Sequence, residues 1–102
     1  MNRGDVWLAD VGRKRRPVLV LTRDEVLDVR SLVTVAEIST SARGLATEIH
    51  FDHVAAGLDR ASVVNTDGLH TVAQSTLTTR VGELDDRTLE HVCAAVSYAL
   101  GC

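Results

Sequence analysis

The stretch RPVLVLT, residues 16–22, passes directly from basic side chains into an uninterrupted aliphatic run. A short apolar run without polar alternation predicts a strand that is buried on both faces. Proline is tolerated at the first residue of a strand, where its missing N–H costs least, so we expect this strand to begin at Pro17. Residues 12–16, which include four consecutive basic side chains, would then form a short loop before it.

Short extended segments recur on both sides of this run, separated by residues that favour turns. A first strand is expected after Gly4 and Asp5, and the dipeptide Asp67-Gly68 is expected to interrupt a later strand or to carry a bulge. The other expected strands are residues 32–38, 47–51, 62–72 and 79–84, with helical turns in residues 24–30 and a loop at residues 39–44.

The clearest helix is predicted at the end of the chain. Asp85 or Asp86 is a suitable N-cap, and Gly101 is a suitable stop. Apolar residues follow at helical spacing and would form one stripe: Leu89, Val92, Cys93, Val96 and Leu100. Many short strands followed by one helix predict a mainly β domain, a curled sheet or small barrel with a C-terminal helix packed on it.

Length and charge restrict the classes of function. A chain of 102 residues suits a single domain, residues 1–102. The net charge of −3 is unlike that of a generic nucleic-acid-binding domain, so any such site must be a local patch, for which residues 13–16 are the candidate. The first residues lack a signal peptide, and no apolar run is long enough to span a membrane, so we expect a cytoplasmic protein.

Several segments, in this order, resemble the MazF/PemK family of toxins from type II toxin–antitoxin systems. Each motif is weak alone, but the ordered set spans nearly the whole chain. The matching segments are RGDVW at residues 3–7, RPVLV at 16–20, AEIS at 36–39, GLDRASVV at 57–64 and the terminal helix at 84–100.

The resemblance implies a small SH3-like barrel of the PemK/CcdB type that forms a homodimer. It implies a metal-independent endoribonuclease that cuts single-stranded RNA selectively by attack of a 2′-OH on the adjacent phosphate, arresting growth. No cofactor or metal is expected. The implied partners are RNA and a cognate antitoxin whose disordered tail wraps the dimer, and no membrane partner is expected.

Family members carry their functional pair at the arginine of RPVLV and at a Thr or Ser where the third strand ends. These positions are Arg16 and Ser39 here, which makes both residues catalytic candidates. The segment that often carries Gln and Arg in relatives has Gly68 and His70 instead, and His70 is a candidate proton carrier. Further RNA-binding candidates are Arg13, Lys14, Arg15, Thr40 and Ser62.

Other interpretations stay open from the sequence. Residues 13–15 are also compatible with a solvated loop, and Ser39 is a common turn residue. A CcdB-like toxin that inhibits a topoisomerase, or a non-catalytic protein of the same fold that only binds a partner, would share most of these motifs. The Arg16 and Ser39 matches favour the nuclease, because binding alone does not need that pair.

Overall fold

Strands and a long C-terminal helix account for most of the fold in the computed structural model, which describes residues 1–11 and 13–102. The strands are β1 Asp5–Val11, β2 Lys14–Val20, β3 Leu32–Ser39, β4 Glu48–His50, β5 Val63–Ala73 and β6 Leu77–Glu83. The helices are α1 Asp24–Leu27 and α2 Asp86–Leu100, and a 3-10 turn covers Gln74–Thr76. The strands form one antiparallel sheet in the order β4-β5-β3-β2-β1-β6.

Both faces of the central strand β3 are buried, because successive side chains of a strand point to opposite faces. Ala36 and Ile38 belong to one apolar cluster, which α2 covers with Val92. Val33 and Val35 belong to a second cluster on the other face, where α1 packs. The predicted mainly β domain with a terminal helix packed on it is therefore confirmed.

The sheet curls until the segment that follows β4 meets the opposite edge strand, β6. Here two backbones approach so closely that a side chain would not fit between them. A Cβ atom added at Gly82 would lie 2.1 Å from the carbonyl oxygen of Ala56. One added at Gly57, where φ is +85°, would lie 2.4 Å from the carbonyl oxygen of Val81. Glycine at these positions lets residues 51–58 bridge the two edges of the sheet.

The strand β2 begins earlier than the sequence indicates. The expected basic loop over residues 12–16 is wrong in part, because Lys14–Val20 form one strand and Gly12 lies outside the described residues. Pro17 is consequently in the interior of β2 and pairs with Leu8 of β1. It is tolerated there because β3 pairs with β2 only from Val18 onward, so this half of β2 has one strand neighbour.

The remaining predicted elements are present with shifted ends. The fourth strand shortens to Glu48–His50, and the last becomes Leu77–Glu83. β5 is continuous, and its register against β3 shifts at Ala36, as expected for a bulge near Asp67-Gly68. In α2, Asp85 is the N-cap and Gly101 adopts the left-handed C-cap conformation. Neither helix of the described chain is long and apolar enough to cross a membrane.

Asp5 fastens the N-terminal turn to the sheet. Its carboxylate is 3% exposed and accepts hydrogen bonds from the backbone N–H of Asn2 at 2.8 Å, Trp7 Nε1 at 3.3 Å and Arg80 Nη2 at 3.3 Å. Burial alone would raise the pKa of Asp5, but these donors outweigh it and hold the pKa below its ordinary value. The aspartate of the RGD motif is therefore structural.

We predict that Asp5→Asn lowers the free energy of unfolding by about 1–3 kcal/mol, because the charged acceptor of three donors is lost. The contribution of a carboxylate with a lowered pKa is complete above its ordinary pKa and disappears as pH falls through the folded-state pKa. The difference between wild type and variant should therefore shrink in acid. Urea unfolding across acidic pH, with the exposed Asp59→Asn as control, measures this, and an equal effect of both substitutions would contradict it.

Candidate active site

Three adjacent strands bring Arg16, Glu37 and His70 together on one face of the sheet. Glu37 lies on β3 and pairs in register with Val18 of β2, and His70 of β5 pairs with Val35 of β3. Arg16 is two residues from Val18, and Glu37 is two residues from Val35, so all three side chains point to the same side. They therefore meet at the rim of the second apolar cluster.

The carboxylate of Glu37 bridges the two basic side chains. Oε1 forms an ion pair with Nη1 of Arg16, and Oε2 lies 2.8 Å from Nε2 of His70. The exposed fractions are 30% for the Arg16 side chain, 20% for Glu37 and 33% for His70. The network is thus half-buried, sheltered enough for its charges to interact and open enough to meet a ligand.

The bulge in β5 makes room for this carboxylate. The register passes from Leu69 opposite Ala36 to Asn65 opposite Glu37, so three residues of β5 have no counterpart on β3. A Cβ atom at Gly68 would lie 2.6 Å from Oε2 of Glu37 and 3.2 Å from Nδ2 of Asn65. Gly68, which departs from the family pattern, therefore provides the space that the Glu37 carboxylate occupies.

The bulge is anchored from its other side by Thr47. The fully buried Thr66 donates to the Thr47 carbonyl oxygen through its hydroxyl at 2.6 Å and through its backbone N–H at 3.0 Å. The Thr47 hydroxyl donates to Oδ2 of Asp67 at 2.6 Å. These bonds fix the backbone on which Gly68 and His70 are carried, so the site is held in place before any ligand arrives.

Ser39 ends β3 on the same face as Glu37, two residues farther along. Its Oγ accepts a hydrogen bond from the backbone N–H of Ser41 at 3.0 Å, and it lines a cavity of about 150 Å³. The other lining residues of this cavity are Ser41, Arg43, Leu45, Glu48, Asn65 and Asp67. Arg16 and Ser39 thus share a face of the sheet, but in this structure Arg16 bonds to Glu37 and Ser39 bonds to its own loop.

The remaining sequence candidates fall into two groups. Arg13, Lys14 and Arg15 are exposed, and alternation along β2 places Lys14 on the face of Arg16 and Arg15 on the opposite one, 3.7 Å from Asp10. Thr40 and Ser62 line a separate cavity of about 190 Å³ beside Phe51 and His50. Lys14 is therefore the member of the basic run that adds positive charge to the face of the network.

Glu37 is the site residue that sequence reasoning did not select. The signal that could have found it is the alternation of residues 32–38, which puts Glu37 on the same face of the strand as Val33 and Val35. A carboxylate at an inward strand position must find a partner, since burying an unpaired charge is costly. That partner, Arg16, comes from a neighbouring strand.

Within residues 1–11 and 13–102, no three His, Cys, Asp or Glu side chains are close enough to hold a metal ion.

A family model described as "PemK-like, MazF-like toxin of type II toxin-antitoxin system" matches residues 2–100. The chain belongs to this family. The resemblance drawn from the ordered motifs is thus confirmed. The probable endoribonuclease MazF5 of Mycobacterium tuberculosis is 36% identical to this MazF-like toxin over 103 residues, which cover 98% of this chain and 93% of that protein.

Solved structures of MazF toxins have the same fold. Mycobacterium tuberculosis toxin MazF-mt6 superposes with a TM-score of 0.89 at 35% identity, covering 95% of this chain and 96% of that one. A mycobacterial endoribonuclease in complex with its cognate antitoxin superposes with a TM-score of 0.88 at 24% identity, covering 99% and 95%. The expected fold class is confirmed, and the expected enzyme class is the one for which these relatives are named.

We predict that Gly68→Ala displaces the Glu37 carboxylate while the toxin stays folded. The added methyl carbon would lie 2.6 Å from Oε2 of Glu37, which is too close for contact, and Oε2 can move because it ends a flexible side chain. The free energy of unfolding should change by no more than about 1 kcal/mol. Alanine is more favourable than glycine inside a strand, and the ion pair that is weakened is half-exposed and contributes little. The side-chain ¹⁵N resonances of His70 should shift and those of His91 should not. An unshifted His70 resonance in a folded variant would refute the prediction.

Proposed function

We propose that this chain is the toxin of a type II toxin–antitoxin pair and that it cuts single-stranded RNA without a metal ion. The observation that carries the proposal is the full-length match to relatives named endoribonucleases, together with a half-buried arginine at the family position. The attacking group is the 2′-OH of the substrate, which displaces the 5′ oxygen from the adjacent phosphate. The protein must hold that phosphate, stabilise the charge that develops on it and move protons.

Arg16 is the residue that holds the phosphate. Its guanidinium is always charged and carries five N–H donors, of which Nη1 is engaged by Glu37. Its Nε is buried and has no hydrogen-bond partner among the described residues, so the guanidinium is not saturated by the protein. Phosphate oxygens match the planar donor geometry of arginine, and a donor of this kind commonly contributes about 3–4 kcal/mol to the transition state.

Ser39 orients the nucleophile in this proposal. Its hydroxyl lies on the face of Arg16, at the mouth of the cavity shared with Asn65 and Asp67. A serine hydroxyl donates one hydrogen bond and accepts others, so it suits a position between a phosphate oxygen and a 2′-OH. The amide and carboxylate of Asn65 and Asp67 in the same cavity present both donors and acceptors to a base.

The RNA backbone would follow the exposed positive charge beside the site. Lys14 lies on the face of Arg16 and supplies sequence-independent attraction to phosphates, and the exposed Arg13 and Arg15 add positive charge next to it in the chain. Thr40 and Ser62 line a cavity beyond the end of β3 and would contact a nucleotide farther along the strand. A local patch of this kind is needed because the chain as a whole is acidic, with a net charge of −3.

A homodimer and an antitoxin complex complete the proposal. Exposed apolar side chains surround the C-terminal end of α2 and the start of β3: Val29, Leu32, Tyr98 and Leu100. Beside them lies an apolar groove of about 400 Å³, here called the α2 groove, lined by Leu21, Val26, Leu69, Cys93, Val96 and Leu100, with Arg3 and Arg23. The apolar surface suits a second copy, and the arginines suit an acidic, apolar antitoxin tail that orders on binding.

The proposed substrate also sets the location and weighs the alternatives. A toxin that acts on cellular RNA has to work in the cytoplasm, which agrees with the location expected from the sequence. The CcdB-like topoisomerase inhibitor is disfavoured, because the full-length relatives are named endoribonucleases. A protein that only binds a partner would not need the half-buried network around Arg16.

We predict that the purified protein cuts long single-stranded RNA in the presence of EDTA, at a short recurrent motif. Arg16→Ala should slow cleavage about 10²–10³-fold, and Ser39→Ala should slow it to a smaller degree. Arg87→Ala, on the exposed side of α2, is the matched control and should cut normally. Folded wild-type protein that leaves RNA of varied sequence intact would exclude the nuclease and favour a non-catalytic binding role.

We predict that the dimer forms through the exposed apolar surface beside the α2 groove. Lysine at both Leu32 and Leu100 should raise the dimer dissociation constant at least about tenfold, which corresponds to about 1.4 kcal/mol. Sedimentation velocity over a range of concentrations measures this. Val54→Lys, at an exposed valine on the segment after β4, is the control. A dimer that resists the double substitution would place the interface elsewhere.

A further inference from the structure

The structure points to His70 as the general base of RNA cleavage and to Glu37 as the residue that positions it. We propose this as an extension of the endoribonuclease function, on which it rests. The bond at 2.8 Å between His70 Nε2 and Glu37 Oε2 is the central observation. A carboxylate accepts hydrogen bonds, so it selects the imidazole tautomer that carries its proton on Nε2. The lone pair on Nδ1 is then the one that remains for a substrate.

The position of His70 suits a base that works beside Arg16. The 2′-OH of RNA is attached next to its own 3′-phosphate, so the group that takes its proton must lie close to the group that holds that phosphate. A single carboxylate ties both basic side chains together here, one to each of its oxygens. His70 is also one-third exposed, so part of its side chain is accessible to solvent.

The charges of the network are balanced for this step. Arg16 from β2 and Glu37 from β3 place opposite charges beside the imidazole. Asp67, on the bulge of β5, is engaged by the Thr47 hydroxyl and belongs to the neighbouring cavity. The phosphate of RNA bound to Arg16 would place a further negative charge near the imidazolium that forms in the step.

The proposed step leaves all atoms accounted for. The O–H bond of the 2′-OH breaks and its proton moves to Nδ1 of His70, while the 2′ oxygen forms a new bond to phosphorus. The bond between phosphorus and the 5′ oxygen breaks, and the 5′ oxygen takes a proton from solvent water. The imidazolium then returns its proton to the hydroxide. The products are a 2′,3′-cyclic phosphate and a 5′-OH end, and nothing else is consumed.

The pH dependence of single-turnover cleavage tests the role of His70. A general base commonly contributes about 10²–10⁴-fold, so His70→Asn should cut at least about 10²-fold more slowly. It should also lose the rise in rate with pH across the range in which imidazole titrates. His91→Asn, on the exposed side of α2, should behave as wild type. A His70→Asn variant with an unchanged pH profile, whether its rate is lowered or not, would overturn the proposal.

A substrate with sulfur at the bridging 5′ position distinguishes whether His70 acts as the general base or as the general acid. Its thiolate leaves without being protonated, so an enzyme that lacks only the acid recovers its rate, whereas one that lacks the base does not. We expect His70→Asn to cut this substrate as slowly as it cuts ordinary RNA, relative to wild type. Full recovery would overturn the assignment as base. Added imidazole should restore part of the activity of His70→Ala, since the ring position is accessible to solvent.

Glu37→Gln tests the positioning role. Glutamine keeps the size of the side chain but removes the charge that orients His70 and pairs with Arg16. We expect kcat to fall about 10–10²-fold, because the imidazole loses the charged acceptor that fixes its tautomer and orientation. KM should not rise, because Arg16 is released to bind phosphate. A raised KM with an unchanged kcat would show that Glu37 only supports binding, and would contradict the proposal.

The experiments distinguish a failure of the endoribonuclease function from a failure of the assignment of His70 as its base. If folded wild-type protein does not cut RNA at all, the proposed function fails, and the base is no longer at issue. If wild type cuts and Arg16→Ala does not, while His70→Asn keeps the wild-type rate and pH profile, only the assignment of His70 fails. Circular dichroism and thermal melting of each variant establish that it is folded, and Gly68→Ala displaces the Glu37 carboxylate without changing any charge.

Discussion

The burial of β3 on both faces is the constraint on which the rest of the structure depends. Val33 and Val35 pack into one apolar cluster, and Ala36 and Ile38 pack into the other. A slip of one residue would exchange the two faces, so the register of β3 against β2 and β5 is fixed by packing. Because the register is fixed, the Glu37 side chain must point inward, and its carboxylate needs hydrogen-bond or ion-pair partners there. The polar network follows from this apolar arrangement.

A charged group at this inward position destabilises the fold unless neighbouring side chains pair with it. Removing one partner of a buried ion pair is more damaging than replacing the whole pair, since the other charge is left uncompensated. Arg16 and His70 share the carboxylate of Glu37, and the bulge of β5 gives it room. The same arrangement holds Arg16 partly neutralised in the free protein. In the proposed mechanism, an RNA phosphate would compete with Glu37 for the guanidinium, and the carboxylate would keep its hydrogen bond to His70.

The sequence permits a good account of the fold and a partial account of the site. Periodicity locates the helix from Asp86 to Leu100 with its caps, because capping and an apolar stripe are local signals. It misplaces the start of β2. Pro17 is tolerated inside β2 because this part of the strand pairs with β1 alone, and the pairing of strands cannot be read from the local sequence. Arg16, Ser39 and His70 were identifiable from family motifs. Glu37 was not, since its contacts with Arg16 and His70 join residues 21 and 33 positions apart and form only through strand pairing.

The departures from the family pattern at Gly68 and His70 are best understood together. Taken singly, glycine removes a side chain from the site and histidine replaces an arginine by a group with a weaker charge. In the structure both residues accommodate the same carboxylate: Gly68 leaves room for Glu37, and His70 forms a hydrogen bond with its second oxygen. A larger residue at position 68 would clash with the Glu37 carboxylate, and loss of that carboxylate would leave Arg16 and His70 without their shared partner, so the three positions are physically coupled. In the proposed mechanism, these residues place an imidazole, the one side chain whose ordinary titration falls near neutral pH, where a metal-free ribonuclease has to move a proton.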